Sequence, residues 1–461
     1  MSERAVERVP NELWFDILKL TRQDRGALLI VSQTCKRLRS LTLPVLLHHV
    51  ALDLETSPHH ASSLLAMLGS GYDAGRFVRR MHLRVSTRDI PEDLWQLLKV
   101  TSVEDLVLSS SKLSARLFAS IIMIPTLRNL NLQSCSMYPP DPIRHIETMD
   151  LCQGRFGVNL VSLEVTWQET SVITSLPAIL SRLDMSKVQN LSLAGSPCSG
   201  TVTSDILSSI YAGSLISLRF PPVRYDARFP QPYDLLRDTL VSQPNIRRLY
   251  LHPSIRLSSI PDDALRNLEQ FEGSCAMAEL LVPGRPVTRV TITTASKFPD
   301  PQGDMPKTFQ AISRSSKHVK YLELEPMLFD EGWMDDLPML FPQLEELRVH
   351  STNYLTKGFM RMTMPAHVSK MKACKSIRFR CRGGGAHPLN LLYMPDESGL
   401  KWAEQTVVGW GQRNAVLQEV WLGRVALVKV ATNEWKAYDE FHFRGPADAY
   451  NIPLLLPDRL P

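Results

Sequence analysis

The sequence lacks several things, and each absence narrows what the chain can be. No run of 18 apolar residues occurs in its 461 positions, which excludes a membrane-spanning helix. Its seven cysteines are an odd number and no two stand as C-x-x-C. Reduced thiols are therefore expected, in a cytoplasmic and/or nuclear protein. Met1 to Arg8 is charged instead of basic and then apolar, which argues against a secretory leader. Charge of one sign is scarce, the net value being only +5. The basic clusters Arg79-Arg80, Arg247-Arg248 and Lys375 to Arg382 alternate with apolar residues, as the solvated face of a strand does. A nucleic-acid groove needs a longer basic stripe interleaved with stacking aromatics, and aromatics make up only 7% of the chain. Neither nucleic acid nor a membrane is an expected partner.

Catalytic constellations are missing as well. There is no G-x-S-x-G, no phosphate-binding loop and no H-E-x-x-H, and the run Gly383-Gly384-Gly385 belongs to no nucleotide motif. The histidine pairs His48-His49 and His59-His60 have no cysteine or carboxylate at ligand spacing. Acidic pairs such as Asp262-Asp263, Asp335-Asp336 and Glu345-Glu346 read as solvated faces. The expectation is a non-catalytic protein with no catalytic residue, no metal and no cofactor.

What is present is a repeat. The pattern apolar-x-x-apolar-x-apolar occurs thirteen times, from Leu47/Val50/Leu52 and Val78/Met81/Leu83 to Cys374/Ile377/Phe379 and Leu417/Val420/Leu422. The mean step is about 31 residues, with extremes of 24 between Leu108 and Leu132 and 43 between Phe379 and Leu422. An irregular extra copy at Leu265/Leu268/Phe271 would split the long gap between Leu251 and Ile292. In such a hexad the last two apolar residues point to one side of a short strand, and the residue between them points to the other. One unit cannot close a core, but stacked units bury a continuous apolar ribbon. Lys112 to Pro125, Ser171 to Asp184, Tyr233 to Ser242 and Leu400 to Gln412 read as helical return segments. Proline-rich connections, such as Pro139-Pro140-Asp141-Pro142 and Pro299 to Pro306, mark insertions, and Arg382 to Pro395 reads as a surface loop. The predicted fold is thus α/β, an irregular leucine-rich-repeat solenoid or horseshoe over residues 51–424. Strands at Val425 to Val430 and Phe441 to Phe443 belong to a C-terminal cap and tail over 425–461. From Gly445 onward that tail is expected to be poorly ordered or to lie along the surface.

Ahead of the repeats, residues 8–50 form a separate helical unit. Leu13, Ile17 and Leu20 make one stripe at helical spacing, and Leu28, Val31, Cys35 and Leu38 another. Pro10 suits a first helical turn and Asp24 an N-cap. So small a unit leaves apolar surface that either the rest of the chain or another protein must cover. The order Val9-Pro10, Glu12, Ile17-Leu18, Asp24, Ala27-Leu28-Leu29, Val31-Ser32, Cys35-Lys36-Arg37-Leu38, Leu43-Pro44 and Leu46-Leu47 resembles an F-box. With the repeats behind it, the chain resembles F-box leucine-rich-repeat proteins of the divergent kind found in fungi. That resemblance implies a three-helix module docking onto the adaptor subunit of a cullin–RING ubiquitin ligase. Pro10, Leu13, Ile17, Leu29, Val31 and Leu38 would face the adaptor, with Cys35 nearby. The alternative is a helical cap that covers the first repeat.

The repeats offer a surface for a second partner. The outward residue of each hexad forms a ladder along the inner, concave face, and its second half is rich in arginine and aromatics, the types that dominate binding energy at interfaces. Arg219, Tyr250, Glu323, Arg348, Arg378 and Trp421 are the candidate binding residues for a protein substrate; the proline-containing loops compete with them. The function expected from the resemblance is substrate recognition within the ligase. The other reading is an interaction scaffold with no ligase role.

Overall fold

A computed structural model describes residues 9–21, 24–54, 56, 63, 73–84, 101–113, 121, 124–137, 156–157, 159–167, 183–195, 207, 214–220, 232–294, 304–327, 330–351, 356–381, 397–423, 425–431 and 434–439. Contacts divide the chain into two compact units, Met1–Ile246 and Arg247–Pro461. The division falls inside the repeats and not at either end of them.

The first unit opens with three helices, α1 (Asn11–Leu20), α2 (Arg25–Thr34) and α3 (Lys36–Leu47). The Pro10 carbonyl accepts the Trp14 amide, so the proline starts α1 without losing a donor the helix needs. Asp24 caps α2 by accepting the Ala27 amide at 2.9 Å, and Cys35 Sγ accepts Leu38 N at the start of α3. Arg37 of α3 donates to Asn11 Oδ1 at 2.7 Å and to the Val9 carbonyl at 2.8 Å, which fastens the start of α1 to α3. The interior is Leu18, Leu28 and Val45, flanked by Phe15, Val31, Leu41 and Leu46. Helix α1 carries apolar residues on two opposite faces, and only one of them can meet α3. Phe15 and Leu18 take that face, so Leu13, Ile17 and Leu20 lie outside it.

Seven parallel strands follow in spatial order, β1 (His49–Asp53), β2 (Arg80–Arg84), β3 (Asp105–Ser109), β4 (Asn129–Gln133), β5 (Ser162–Trp167), β6 (Asn190–Gly195) and β7 (Ser217–Phe220). Their register stacks the middle hexad residues Val50, Met81, Leu106, Leu130, Leu163, Leu191 and Leu218 into one row. That row is buried, as is the row of leading residues from Val78 to Leu215. The repeat's two-residue alternation therefore does what the hexad demands: leucines enter the core and the residues between them leave it. Helix α4 (Pro232–Ser242) forms the return segment expected at Tyr233 to Ser242. The expected helix from Lys112 instead begins with a short strand, Lys112–Leu113, paired with Ser136–Met137. Leu183–Asp184, the end of the second expected helix, is likewise a strand, paired with Phe156–Gly157. Residues 114–120, 122–123 and 171–182 of those two segments lie outside the described residues.

The second unit continues the pattern with β8 (Arg248–Leu251), β9 (Gln270–Gly273), β10 (Arg289–Ile292), β11 (Tyr321–Met327), β12 (Glu346–Ser351), β13 (Ser376–Cys381) and β14 (Glu419–Leu422). Leu249, Phe271, Val290, Leu322, Leu347, Ile377 and Val420 form its central row. The irregular copy is real, but it reads one step later than the sequence suggested: Phe271 occupies the middle position and Gly273 the last. A Cβ on Gly273 would lie 2.8 Å from Phe271 Cζ, so the aromatic ring already fills the space a third side chain would take. Sequence pattern alone favours Leu265 because it is apolar, whereas the register gives its place in the hexad to Leu268.

Behind these strands run α5 (Cys275–Leu281), α6 (Met305–Ser313), α7 (Trp333–Leu340), α8 (Met364–Lys370) and α9 (Glu397–Arg413), each packed on the next. Phe309 meets Trp333 and Phe341 edge-on at 6.2 and 6.1 Å, and Phe379 meets Trp410 at 6.4 Å. Arg285 is buried and donates to the carbonyls of Pro261, Ala264, Leu280 and Leu281, which satisfies the end of α5 from within. Strand β15 (Val425–Ala431) reverses onto β14, and β16 (Glu434–Asp439) reverses onto β15, closing the sheet edge with an antiparallel hairpin. The cap thus uses 434–439 as its second strand. Phe441 to Phe443, the tail from Gly445 and the loop from Arg382 to Pro395 lie outside the described residues.

Candidate functional site

Two surfaces hold the residues singled out in the sequence. The first is on the helical module. Leu13, Ile17, Leu20, Leu29 and Ile30 are 55%, 47%, 85%, 51% and 67% exposed. The other large exposed apolar residues among those described, Val241, Met339, Met362, Val416 and Val430, are spread over separate elements. Half of such residues therefore fall within one short helical pair, a density that single surface leucines do not produce. Pro10 is exposed here too, and Val31 and Cys35 are half-buried. Leu38 is 4% exposed, inside the module, and cannot meet a partner directly. Its place on the same stripe as Leu28 explains this, since that stripe is the one α2 and α3 share.

The second surface is the face of β10 to β14 opposite the leucine core. Tyr321, Glu323 and Glu325 alternate with Leu322 and Leu324 along β11, and Glu346, Arg348 and His350 alternate with Leu347 and Val349 along β12. Two guanidiniums, of Arg289 and Arg348, lie 4.3 and 5.0 Å from the Tyr321 ring centre. The Tyr321 hydroxyl donates to Glu323 Oε2, and His350 Nε2 lies 3.1 Å from Glu323 Oε1. Burial by itself would raise the Glu323 carboxyl. Hydrogen bonds from His350 and Tyr321 and the charge of Arg348 outweigh it and hold that carboxyl below its usual range. Burial and the neighbouring Glu323 charge push the Tyr321 phenol up, so it stays protonated as a donor.

Further along, Arg348 Nε pairs with Glu346 at 2.7 Å. Arg378 donates to Glu419 at 3.2 Å, and its guanidinium lies 4.9 Å from the Trp421 ring centre. Trp421 Nε1 donates to Glu419 Oε1. The strands thus join Glu323, Arg348, Arg378 and Trp421 into one chain of contacts. Glu323 and Trp421 are buried by those neighbours and are not open to solvent as expected. Tyr250 is half-buried on β8, three strands from Tyr321, and Arg219 is half-buried on β7 of the first unit. Arg289, Tyr321, Glu325 and His350 were missed because only one outward position per repeat was read. Their two-residue spacing from Thr291, Glu323 and Arg348 is the signal that finds them.

Cys35, Cys135, Cys275 and Cys374 are free thiols. Burial pushes Cys135 up to about 11 and Cys374 up to about 12, so both are packing residues and not nucleophiles.

No protein-family model matches the chain, and no curated protein matches it. Among solved structures, the chain is similar to the TLR13–ssRNA13 complex, at 16% identity and a TM-score of 0.33, over 83% of this chain and 44% of that one. It is also similar to an internalin, inlF, from Listeria monocytogenes str. 4b F2365, at 11% identity and a TM-score of 0.29, over 77% of this chain and 76% of that one. The chain therefore spans less than half the length of the first of these. The repeating strands, with hexad leucines stacked in register, identify the architecture by themselves: this is an α/β protein built of leucine-rich repeats.

Proposed function

We propose that this chain is the substrate-recognition subunit of a cullin–RING ubiquitin ligase, with the N-terminal helices docking the adaptor and the repeats holding the protein to be modified. The observation that carries the proposal is the exposure of Leu13, Ile17, Leu20, Leu29 and Ile30 on a module whose own interior is made by Leu18, Leu28 and Val45. The F-box resemblance supplies the identity of the partner. Catalysis in this reading is positional: tethering raises the effective concentration of substrate lysines near the charged conjugating enzyme, and no side chain of this chain reacts. Such a subunit works in the cytoplasm and/or nucleus without metal or cofactor of its own. Its substrate sits on the arginine and aromatic face of β10 to β14, where paired charges are already ordered and cost little entropy to dock against.

Co-purification tests the proposal. Wild-type chain is expected to retain the adaptor, and Ile17→Asp with Leu29→Asp to lose it while the circular dichroism spectrum and melting temperature stay unchanged. Wild-type chain that never retains the adaptor would leave an interaction scaffold with no ligase role.

A further inference from the structure

We propose that Glu323, Glu325 and His350 form a binding site for a divalent first-row transition ion, best matched by zinc. One ligand atom from each of the three lies within 4.8 Å of the others. His350 Nε2 is 3.1 Å from Glu323 Oε1 and 3.7 Å from Glu325 Oε1. An ion with bonds of about 2.0–2.2 Å to nitrogen and oxygen holds its ligands roughly 3–3.5 Å apart; the first separation lies inside that range and the second just above it.

The arrangement is hard to account for with protons alone. One imidazole nitrogen faces two carboxylates, and a single proton on it serves one oxygen, leaving the second carboxylate unanswered beside the first. Both Glu323 and His350 are buried, so water screens the repulsion poorly. A cation at the centre answers all three groups at once. The Tyr321 hydroxyl holds Glu323 by its other oxygen, Oε2, which fixes Oε1 toward the centre, as hydrogen bonds behind metal ligands commonly do. Thr293 Oγ1 is a buried oxygen without a hydrogen-bond partner, one residue past Ile292 of β10. Ile292 pairs with Leu324, the residue before Glu325.

The ligand set selects the ion. One imidazole and two carboxylates suit zinc and its neighbours, whereas calcium takes six to eight oxygens and magnesium keeps its water. Arg348 is neutralised by Glu346 and does not compete with the ion for the same carboxylates at contact distance. Arg380 is opposite His350 in the β12–β13 register. The ion would tie β11 to β12 in the middle of the face proposed above to hold substrate, although the site stands whether or not that face does so.

Metal-stripped full-length chain titrated with zinc alone tests this. One equivalent is expected to bind and to raise the melting temperature, because an ion that binds only the folded state stabilises it by mass action. Glu325→Gln, a near-isosteric change at a half-buried position, should weaken binding at least tenfold and, by relieving the carboxylate repulsion, leave the metal-free protein no less stable than wild type. His350→Ala should abolish that site. The chain has seven cysteines, so cobalt is the second probe: visible bands without thiolate charge transfer are expected. Zinc binding equal in wild type and Glu325→Gln, cobalt spectra dominated by thiolate, or no binding at all would overturn the assignment. None of these readouts involves the ligase adaptor, so the site fails or stands apart from the docking reading.

Discussion

Replacing Gly273 by alanine tests whether Phe271 occupies the slot of a missing hexad side chain. In most exposed or open positions a glycine-to-alanine change stabilises by about 0.4–1 kcal/mol, because it restricts the unfolded chain. Gly273 is in a strand and needs no left-handed backbone, so that gain is available in principle. Against it, the new Cβ would sit 2.8 Å from Phe271 Cζ and 3.5 Å from the Leu251 carbonyl oxygen. The ring is buried between β8 and β10 and has little room to turn away. Overpacking of this kind costs about 1–3 kcal/mol. The net expectation is a loss of about 1–2 kcal/mol. Phe271→Leu alone should also destabilise, by opening space beside Gly273. The pair Phe271→Leu with Gly273→Ala should be better than the sum of the two, with a coupling of about 1 kcal/mol or more. Urea unfolding followed by both tryptophan fluorescence and circular dichroism measures all four proteins, and agreement of the two probes guards against an intermediate between units. A stabilising Gly273→Ala, or additive single changes, would refute the reasoning.

Three further outcomes follow from the same packing logic. Leu18→Ala should cost the N-terminal module about 2–5 kcal/mol, whereas Leu20→Ser should leave its stability within about 0.5 kcal/mol; native-state hydrogen exchange over residues 11–47 reads the difference. Arg285→Met should lose at least about 2 kcal/mol, because it strands the carbonyls of Pro261, Ala264 and the end of α5 in the interior; equal urea midpoints would contradict this. The second unit should also lose stability as pH falls through about 6.5. Burial, and to a lesser degree Lys370, hold the imidazole of His367 below its ordinary value of 6.5 against the opposing pull of Asp335 and Glu331. The folded state then binds that proton less readily than the unfolded state, so stability is full above the unfolded value and declines below it. A His367→Gln protein should show a flatter melting temperature between pH 7.5 and about 5.5, and an unchanged slope would count against His367 as the cause.

The repeat was legible because its signal is redundant. A hexad that recurs every 31 residues or so needs only two-residue alternation to define strand and core, and each stacked row confirms its neighbours. The helix starts were legible for a local reason: Pro10, Asp24 and the apolar periods act within a few residues. Which face of α1 turns inward was not local. Leu13 and Leu18 are equally apolar, and only the position of α3 chose Phe15 and Leu18. Leu38 was misplaced for the same cause.

The sequence by itself determined that this is an α/β stack of leucine-rich units preceded by a helical module, because burial of a periodic apolar ribbon admits one arrangement of strands. Only the tertiary structure decided that Gly273 closes the irregular repeat. It also decided that Arg348, Arg378 and Trp421 are bound up with Glu346 and Glu419, and that His350 faces Glu323 and Glu325. The Arg378–Glu419 pair and the His350 contacts with Glu323 and Glu325 join residues on neighbouring strands, and their distances are set by strand register, which no local pattern records.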